Sequence, residues 1–453
     1  MSPRPATPQI QRALSTFLAA RLDDRRRLGV GFSGGRDSLV LLHALAGLRS
    51  AGLNCELSAI HVHHGLSAAA DAWAEFCVDL CRQLGVPLQI VRVEVPRASR
   101  EGVEGAARRL RHAVFAGCPA DWVALAHHRD DQAETILFRL LRGAGVSGAA
   151  GMRAERAQAG GPRLIRPLLE VPRCVLASYA AEHSLRWIED QSNADSRYRR
   201  NHLRHAVLPR IADKFPGAAQ SLARAGRHFA EAARLLEELA QLDRAAVGSP
   251  AGRIEIARFN ALSPARARNL LRCELLAAGW RAPEARWLDE ALRQLATVGA
   301  GSETCLATPD GEIHVYRGEL HVLVGHPPPM QCERVRWNGE GELPWAGGRV
   351  LLQPTVSAGI DCCTLVGAPV YLRSRQGGER LRPDPRRPVR ILRKLLQEAA
   401  VPPWERSRLP LLCCGERLVW AAGIGIDAGF ACPPGQAGLL PVWDAPRRLP
   451  AVP

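Results

Sequence analysis

Apolar and polar positions change period repeatedly along the first third of the chain. Short apolar runs at Leu28–Phe32, Leu57–Val62, Leu88–Val93 and Trp122–Ala126 predict strands. The stretches Ser38–Leu48, Ala72–Leu84 and Val103–Ala116, apolar at every third or fourth position, predict helices between them. This alternation predicts an α/β fold, a Rossmann-like parallel sheet with crossover helices on both faces. A helix over Gln9–Leu22 is expected to pack on it. Ligands of such sheets bind beyond the C-terminal strand ends, where strand order reverses, and the polar clusters of this chain fall mostly at those ends.

Further on, a helix is expected near Arg173–His183 and a long helical region over Ala218–Leu242 and Ser263–Leu295, with Ser263-Pro264 as an N-cap followed by Pro. Ile313–Val315 and Leu320–Val324 alternate around Arg317-Gly318 and predict a hairpin. Pro327–Pro329 reads as a linker, and Val350 to about Phe430 as short strands with one helix. At 453 residues the chain exceeds one ordinary core. The expected division is 1–215 as the α/β domain, 216–326 as a mainly helical domain with a hairpin, and 327–453 as a linker with a small α+β domain.

Chemistry concentrates at the strand ends. After Leu28–Phe32, the turn Ser33-Gly34-Gly35-Arg36-Asp37-Ser38 leads into a helix, so backbone N–H groups at a glycine turn point toward an anion. No GxGxxG is present, and no Lys lies nearby for a Walker loop; a tight turn without a ligand is the alternative. At the next strand end, His61 and His63 share one side while His64 opens a loop, which suits nucleotide contact or plain solvation. The fourth strand ends in His127-His128-Arg129-Asp130-Asp131-Gln132-Ala133-Glu134-Thr135. There Asp130 is expected as the N-cap, with Asp131 and Glu134 on one helix face. Two carboxylates beside a phosphate loop call for Mg²⁺ or a cationic substrate, or they simply cap the helix. Arg108 and Arg111 share a face of the preceding helix, as a phosphate clamp or a solvated basic face. Gly143–Gly151 is glycine-rich and reads as a mobile lid, and Arg197–Arg204 is a basic stretch suited to a nucleic-acid backbone.

Composition narrows the partners. Apolar content of 47% with 23% charged residues is that of a soluble globular protein, with no run long enough to span a membrane and no secretory segment. A faintly transit-like N-terminus with Arg4, Arg12 and Arg21 ranks below the capping helix, and a cytoplasmic location is expected. The net charge of +15 points to a polyanionic partner. All of the basic residues except Lys214 and Lys394 are arginine. Thirteen cysteines without a CxxC read as reduced thiols, with Cys77 and Cys81 in the core. Between Arg373 and Arg408, eleven basic residues face four acidic ones, an excess that favours nucleic-acid phosphate contact.

Ser-Gly-Gly-x-Asp-Ser resembles the pyrophosphate loop of the ATP pyrophosphatase superfamily, enzymes that cleave ATP between the α and β phosphates. Joined with His64-Gly65-Leu66, Ala107-Arg108 and Arg111, Asp130–Thr135, Arg166-Pro167-Leu168, Asn193 with Asp195, and Arg200-Asn201 with Arg204, it is similar to the tRNA(Ile)-lysidine synthetase family. Gly377–Leu381 and Val401-Pro402-Pro403-Trp404 resemble that family's C-terminal tRNA-binding domain. The resemblance implies an adenine-nucleotide α-hydrolase-like first domain and a carbon–nitrogen ligase. ATP adenylates the C2 carbonyl oxygen of the wobble cytidine in the CAU-anticodon isoleucine tRNA, and free L-lysine displaces AMP. By the same resemblance Ser33, Gly34, Gly35, Arg36, Asp37, Ser38 and His64 would bind ATP, with Mg²⁺ on Asp37. Arg108 would act on the α phosphate, Asp131 and Glu134 on lysine, and Arg200, Asn201, Arg204, Arg380 and Arg382 on tRNA. No membrane partner is expected, and a homodimer is the oligomer left open. Two positions depart from the family: Arg36, where small or apolar residues are familiar and a phosphate contact is expected, and His112, where Tyr is frequent. The rival is a tRNA thiolase, which needs reactive cysteines; an amidotransferase-type synthetase would need an ammonia source. A non-catalytic RNA-binding protein is the remaining alternative.

Overall fold

The computed structural model describes residues 5–21, 26–96, 98, 102–158, 160–189, 199–250, 252–298, 304–325 and 334–444. The expectations placed on Asn193, Asp195 and Arg197, and on the Pro327–Pro329 linker, lie outside these. The chain divides into two compact units, Met1–Leu236 and Glu237–Pro453.

Alternation along the first strand, β1 (Arg26–Gly31), sends Leu28 and Val30, followed by Phe32, to one side of the sheet. There they pack against Ile10, Leu14 and Leu18 of α1 (Ala6–Ala19) and Leu39 and Leu42 of α2 (Arg36–Ser50). The other side is served by Gly31, where a Cβ would stand 2.9 Å from Phe115 and 2.7 Å from Leu125. Phe115 belongs to α4 (Gly102–Ala116), which therefore approaches the sheet closely. Between these lie β2 (Cys55–His63), α3 (Ala70–Gln83) and β3 (Leu88–Arg92). The chain goes on through β4 (Trp122–Ala124), α5 (Arg129–Leu140), α6 (Val146–Ala149), β5 (Glu155–Gln158), β6 (Gly161–Ile165) and α7 (Arg173–Glu182). Strand order is β3-β2-β1-β4-β6-β5, parallel except for β5. Order reverses between β1 and β4, so the loops leaving these two strands open into one crevice.

The first helix begins at Ala6, three residues before the expected start. Glu182 of α7 accepts hydrogen bonds from the N–H groups of Ala6 and Thr7, placing a carboxylate on the positive end of the helix. The glycine-rich segment expected as a lid is tied down. Arg139 donates to the carbonyls of Gly148 and Gly151, and Gln132 exchanges two hydrogen bonds with the backbone of Met152. The basic stretch then forms α8 (Arg199–His202), a π-helical turn at Leu203–Val207, and α9 (Leu208–Lys214), followed by α10 (Ala218–Val247).

In the second unit, β7 (Ile254–Glu255) and α11 (Ile256–Asn260) precede α12 (Pro264–Ala277) and α13 (Ala285–Ala296). The single helical region expected over Ser263–Leu295 is two helices, because Gly279 adopts φ +87° as a terminator and Pro283 follows. β8 (Thr304–Thr308), β9 (Gly311–Tyr316) and β10 (Glu319–Val324) complete a sheet ordered β7-β10-β9-β8, and the expected hairpin is β9–β10. The described strands after residue 334 build a five-stranded and a four-stranded antiparallel sheet around Trp345, Leu372, Leu412 and Trp420, with a two-stranded ribbon pairing Arg380–Leu381 with Arg390–Ile391. Two short helices, α14 (Leu392–Glu398) and α15 (Pro403–Arg406), stand where one was expected. Trp404 of α15 stacks on His314 at 4.4 Å and meets His321 at 4.8 Å, so the Val-Pro-Pro-Trp motif fastens this region to the β9–β10 hairpin. Lys214 and Lys394 are both exposed.

Candidate active site

The Ser33–Ser38 loop leaves β1 and is drawn tight by its own serines. Ser38 Oγ donates to the Gly35 carbonyl at 2.9 Å and lies 3.1 Å from Ser33 Oγ. His61 Nδ1, 3.0 Å from the Phe32 carbonyl, props the strand end from β2. Gly34 has φ +82°, and a Cβ there would sit 2.6 Å from Ile188 Cδ1. The Gly34 carbonyl accepts from Ile188 N–H at 3.0 Å. Gly35 caps α2 without a side-chain bond, which leaves the helix N-terminus aimed outward as an anion seat.

Asp37, on the first turn of α2, meets β4's loop through His128. Asp37 Oδ2 lies 3.4 Å from His128 Nε2, and Oδ1 lies 3.0 Å from an Arg36 nitrogen. Burial opposes ionisation of Asp37, but hydrogen bonding and charge from His128, with Arg36, hold its carboxyl at about 2. Arg36 thus addresses Asp37, where a phosphate contact was expected. The N-cap of α5 is His128 in place of the expected Asp130. His128 Nδ1 accepts from Asp131 N–H at 3.3 Å while the Asp131 carboxylate accepts from His128 N–H at 3.1 Å, a reciprocal box. That pattern puts the ring proton on Nε2, toward Asp37. Burial lowers the His128 pKa, yet Asp37, Asp131 and Asp130 together raise it. Asp130 instead anchors α7, its carboxylate accepting from Arg173 N–H at 2.8 Å.

Asp131 and Glu134 do share a buried face, as expected, and both hold Arg204. Arg204 reaches Asp131 Oδ1 at 2.6 Å and Glu134 Oε1 and Oε2 at 2.6 and 2.9 Å, while Arg200 Nε lies 3.4 Å from Glu134. Arg200 and Arg204, read from sequence as RNA contacts, are therefore gathered at the acidic pair.

Across the crevice lies an excess of cations. Partial burial, then Arg200, lowers the pKa of Arg108; burial, then Arg108, lowers that of Arg111; burial with Arg108 pushes Arg166 down to about 10. His112 is held at about 4 by burial and Arg108, and His127 is driven far below its ordinary value by burial and Arg166. The buried Nδ1 atoms of His64, His112 and His127 and the Nε of Arg166 have no hydrogen-bond partner among the described residues. Like charges and unmet polar atoms so close together are costly alone, and they suit a polyanion. His128, Arg166 and His127 were missed as site residues. The doubled His at the end of β4 was the available signal.

Residues 6–211 match the PP-loop domain family, 255–321 the TilS substrate binding domain and 370–443 the TilS substrate C-terminal domain. The tRNA(Ile)-lysidine synthase of Nitrosomonas europaea is 42% identical over 430 residues, spanning 94% of this chain and 93% of the relative. That of Aromatoleum aromaticum is 45% identical over 429 residues, 94% of this chain and all of the relative's length. The chain belongs to the tRNA(Ile)-lysidine synthase family. As a member with a PP-loop domain it is an ATP-using ligase, and the thiolase and non-catalytic alternatives fall away.

Within the lysidine synthase family's C-terminal domain, buried Glu379 organises the turn before the predicted RNA contacts. Its carboxylate accepts from Arg373, from Gln376 N–H and from Gly377 N–H. This leaves Arg380 exposed, while Arg382 is half-buried with its N–H on Asp427. Beside α9 a cavity of about 420 Å³ is lined by His202, Arg210, Lys214 and Phe215 among others. Asn201 lies on α8 next to Arg200. No helix among the described residues is long and apolar enough to cross a membrane.

Proposed function

We propose that this chain joins free L-lysine to C2 of the wobble cytidine in the CAU-anticodon isoleucine tRNA. In the first step cytidine O2 attacks the α phosphorus of ATP and the bond to the β phosphate breaks, releasing pyrophosphate. In the second an amine of lysine attacks C2, loses a proton, and the C2–O bond breaks to release AMP. The observation that carries the reading is one connected site. A phosphate-type loop, an ionised Asp37, a buried acidic pair already engaging a guanidinium, and an arginine-rich wall open at the same strand-order reversal.

Backbone N–H groups of Gly34–Ser38 receive the departing pyrophosphate, and His64 approaches the nucleotide from the neighbouring strand end. Asp37 supplies a hard, ionised oxygen ligand, which fits Mg²⁺; when bound, the ion would neutralise phosphate charge. Arg108 stabilises charge gathering on the α phosphate. Asp131 and Glu134 bind the cationic end of lysine, and one of them takes the proton released by the attacking amine. Arg200, Asn201, Arg204, Arg380 and Arg382 serve the RNA. Incubation with ATP, Mg²⁺, labelled lysine and the CAU-anticodon tRNA tests this. Label is expected in RNA, with equimolar AMP and pyrophosphate, and Asp37→Asn is expected to abolish AMP formation. Failure of lysine transfer by the folded wild-type protein would refute the reading.

A further inference from the structure

Arg204 faces two claims that it cannot meet at once. Its guanidinium binds Asp131 and Glu134 through three contacts of 2.6, 2.6 and 2.9 Å, a forked geometry that a single ammonium cannot match. The acids are deeply buried, with side chains 12% and 3% exposed, whereas that of Arg204 is 24% exposed and open to an outside partner. Residues 199–212 contain no carboxylate but do contain Arg199, Arg200, His202, His205 and Arg210, so this segment's other natural partner is phosphate. The π-helical turn at Leu203–Val207 interrupts the helix where Arg204 leaves it, a local irregularity typical of functional segments.

The chemistry supplies a reason for such a contact. A lysine amine seated beside ATP without RNA would compete with cytidine O2 for the α phosphorus. A P–N bond would form, the bond to the β phosphate would break, the nitrogen would pass a proton to Asp131 or Glu134, and pyrophosphate would leave with ATP wasted as an adenylyl phosphoramidate of lysine.

We infer that Arg204 is a specificity residue that decides which nucleophile reaches the α phosphate. It holds the lysine-binding carboxylates until an RNA phosphate draws its guanidinium away, so that lysine enters only behind the cytidine. This rests on the proposed lysine site at Asp131 and Glu134. A ligand that binds only the released arrangement gains affinity as that arrangement is populated.

The test is equilibrium dialysis of radiolabelled L-lysine against the full-length protein with α,β-methylene-ATP, with and without the CAU-anticodon tRNA. The wild type is expected to bind lysine at least tenfold more tightly with RNA. Arg204→Ala and Arg204→Gln are each expected to bind it at least tenfold more tightly than the wild type when RNA is absent. With ATP they should also release pyrophosphate in a lysine-dependent, RNA-independent way. A purely structural Arg204 would have the opposite signature, weaker lysine binding in both variants. Equal wild-type affinity with and without RNA overturns the inference, as does unchanged or weaker binding in the variants. Glu134→Gln separates the two readings. If it retains wild-type lysine affinity in the presence of RNA, the lysine site itself is misassigned. If it loses that affinity while the Arg204 variants gain nothing, only the role of Arg204 fails.

Discussion

Gly34→Ala should be costly for two separable reasons. The backbone at φ +82° is one that residues with a Cβ adopt at a cost of roughly 1–2 kcal/mol. The new methyl would also stand 2.6 Å from Ile188 Cδ1 and 3.1 Å from Cys77 Sγ, contacts that force displacement at roughly 1–3 kcal/mol. The expected loss is thus about 2–5 kcal/mol, measured by urea unfolding of the first transition, together with a raised KM for ATP as the loop shifts. Ile188→Val removes the clashing atom and leaves Cγ1 at an ordinary 3.6 Å. On its own it should cost on the order of 1 kcal/mol or less. In the double variant the Ile188 share of the steric cost should vanish, while the backbone part and the 3.1 Å contact to Cys77 Sγ remain, giving a coupling of about 1 kcal/mol or more. Wild-type stability and ATP KM in Gly34→Ala would refute the assigned geometry. Strict additivity with Ile188→Val would refute the steric half.

Three further outcomes are expected. Arg108→Ala should slow RNA-dependent pyrophosphate release by about 10²- to 10³-fold, the usual cost of one charge-stabilising donor, with little change in lysine KM; a pure lysine KM effect in pre-steady-state assays would move Arg108 elsewhere. Burial pushes the Cys77 and Cys81 thiols up to about 12 and about 11, so a disulfide reagent at pH 8 should label exposed Cys174, Cys305, Cys362 and Cys363 and spare both; labelling of Cys77 in the native protein would contradict its burial. Burial holds His321 and His112 at about 4, so the unfolded chain, titrating near 6.5, takes up protons first as pH falls. Stability should be flat above pH 7 and fall between about 6.5 and 4, by on the order of 1–2 kcal/mol per histidine after allowing for partial exposure. His321→Gln should flatten the slope in urea unfolding at pH 7.5 and 5.0, and a stability that rises on acidification would overturn the assignment.

Features governed by local pattern were legible in advance. The alternation of strands and helices, the glycine turn before Asp37, the sharing of one face by Asp131 and Glu134, and the β9–β10 hairpin all follow from neighbours a few residues apart. What was not legible depends on partners far along the chain. Arg204 meets acids seventy residues earlier, and Glu182 starts a helix at Ala6 from the other end of the domain. Asp130 was the reasonable N-cap by propensity, but its carboxylate is taken by Arg173 N–H, and His128 occupies the cap because it also faces Asp37. Likewise the glycines of 143–151 suggest mobility until Arg139 is seen to bind the carbonyls of Gly148 and Gly151, and Gln132 the backbone of Met152 that follows them.

The placement of Lys214 and Lys394 on exposed surfaces has a consequence for chemical compatibility. An activated cytidine is an electrophile, and any neighbouring primary amine is a trap for it. Guanidinium groups keep their protons at neutral pH and do not attack, so the arginines proposed to hold the RNA would be inert toward the activated base they help to position. The side-chain amines that exist in the protein are confined to two positions. The reactive base therefore meets few competitors to the amine that arrives as substrate.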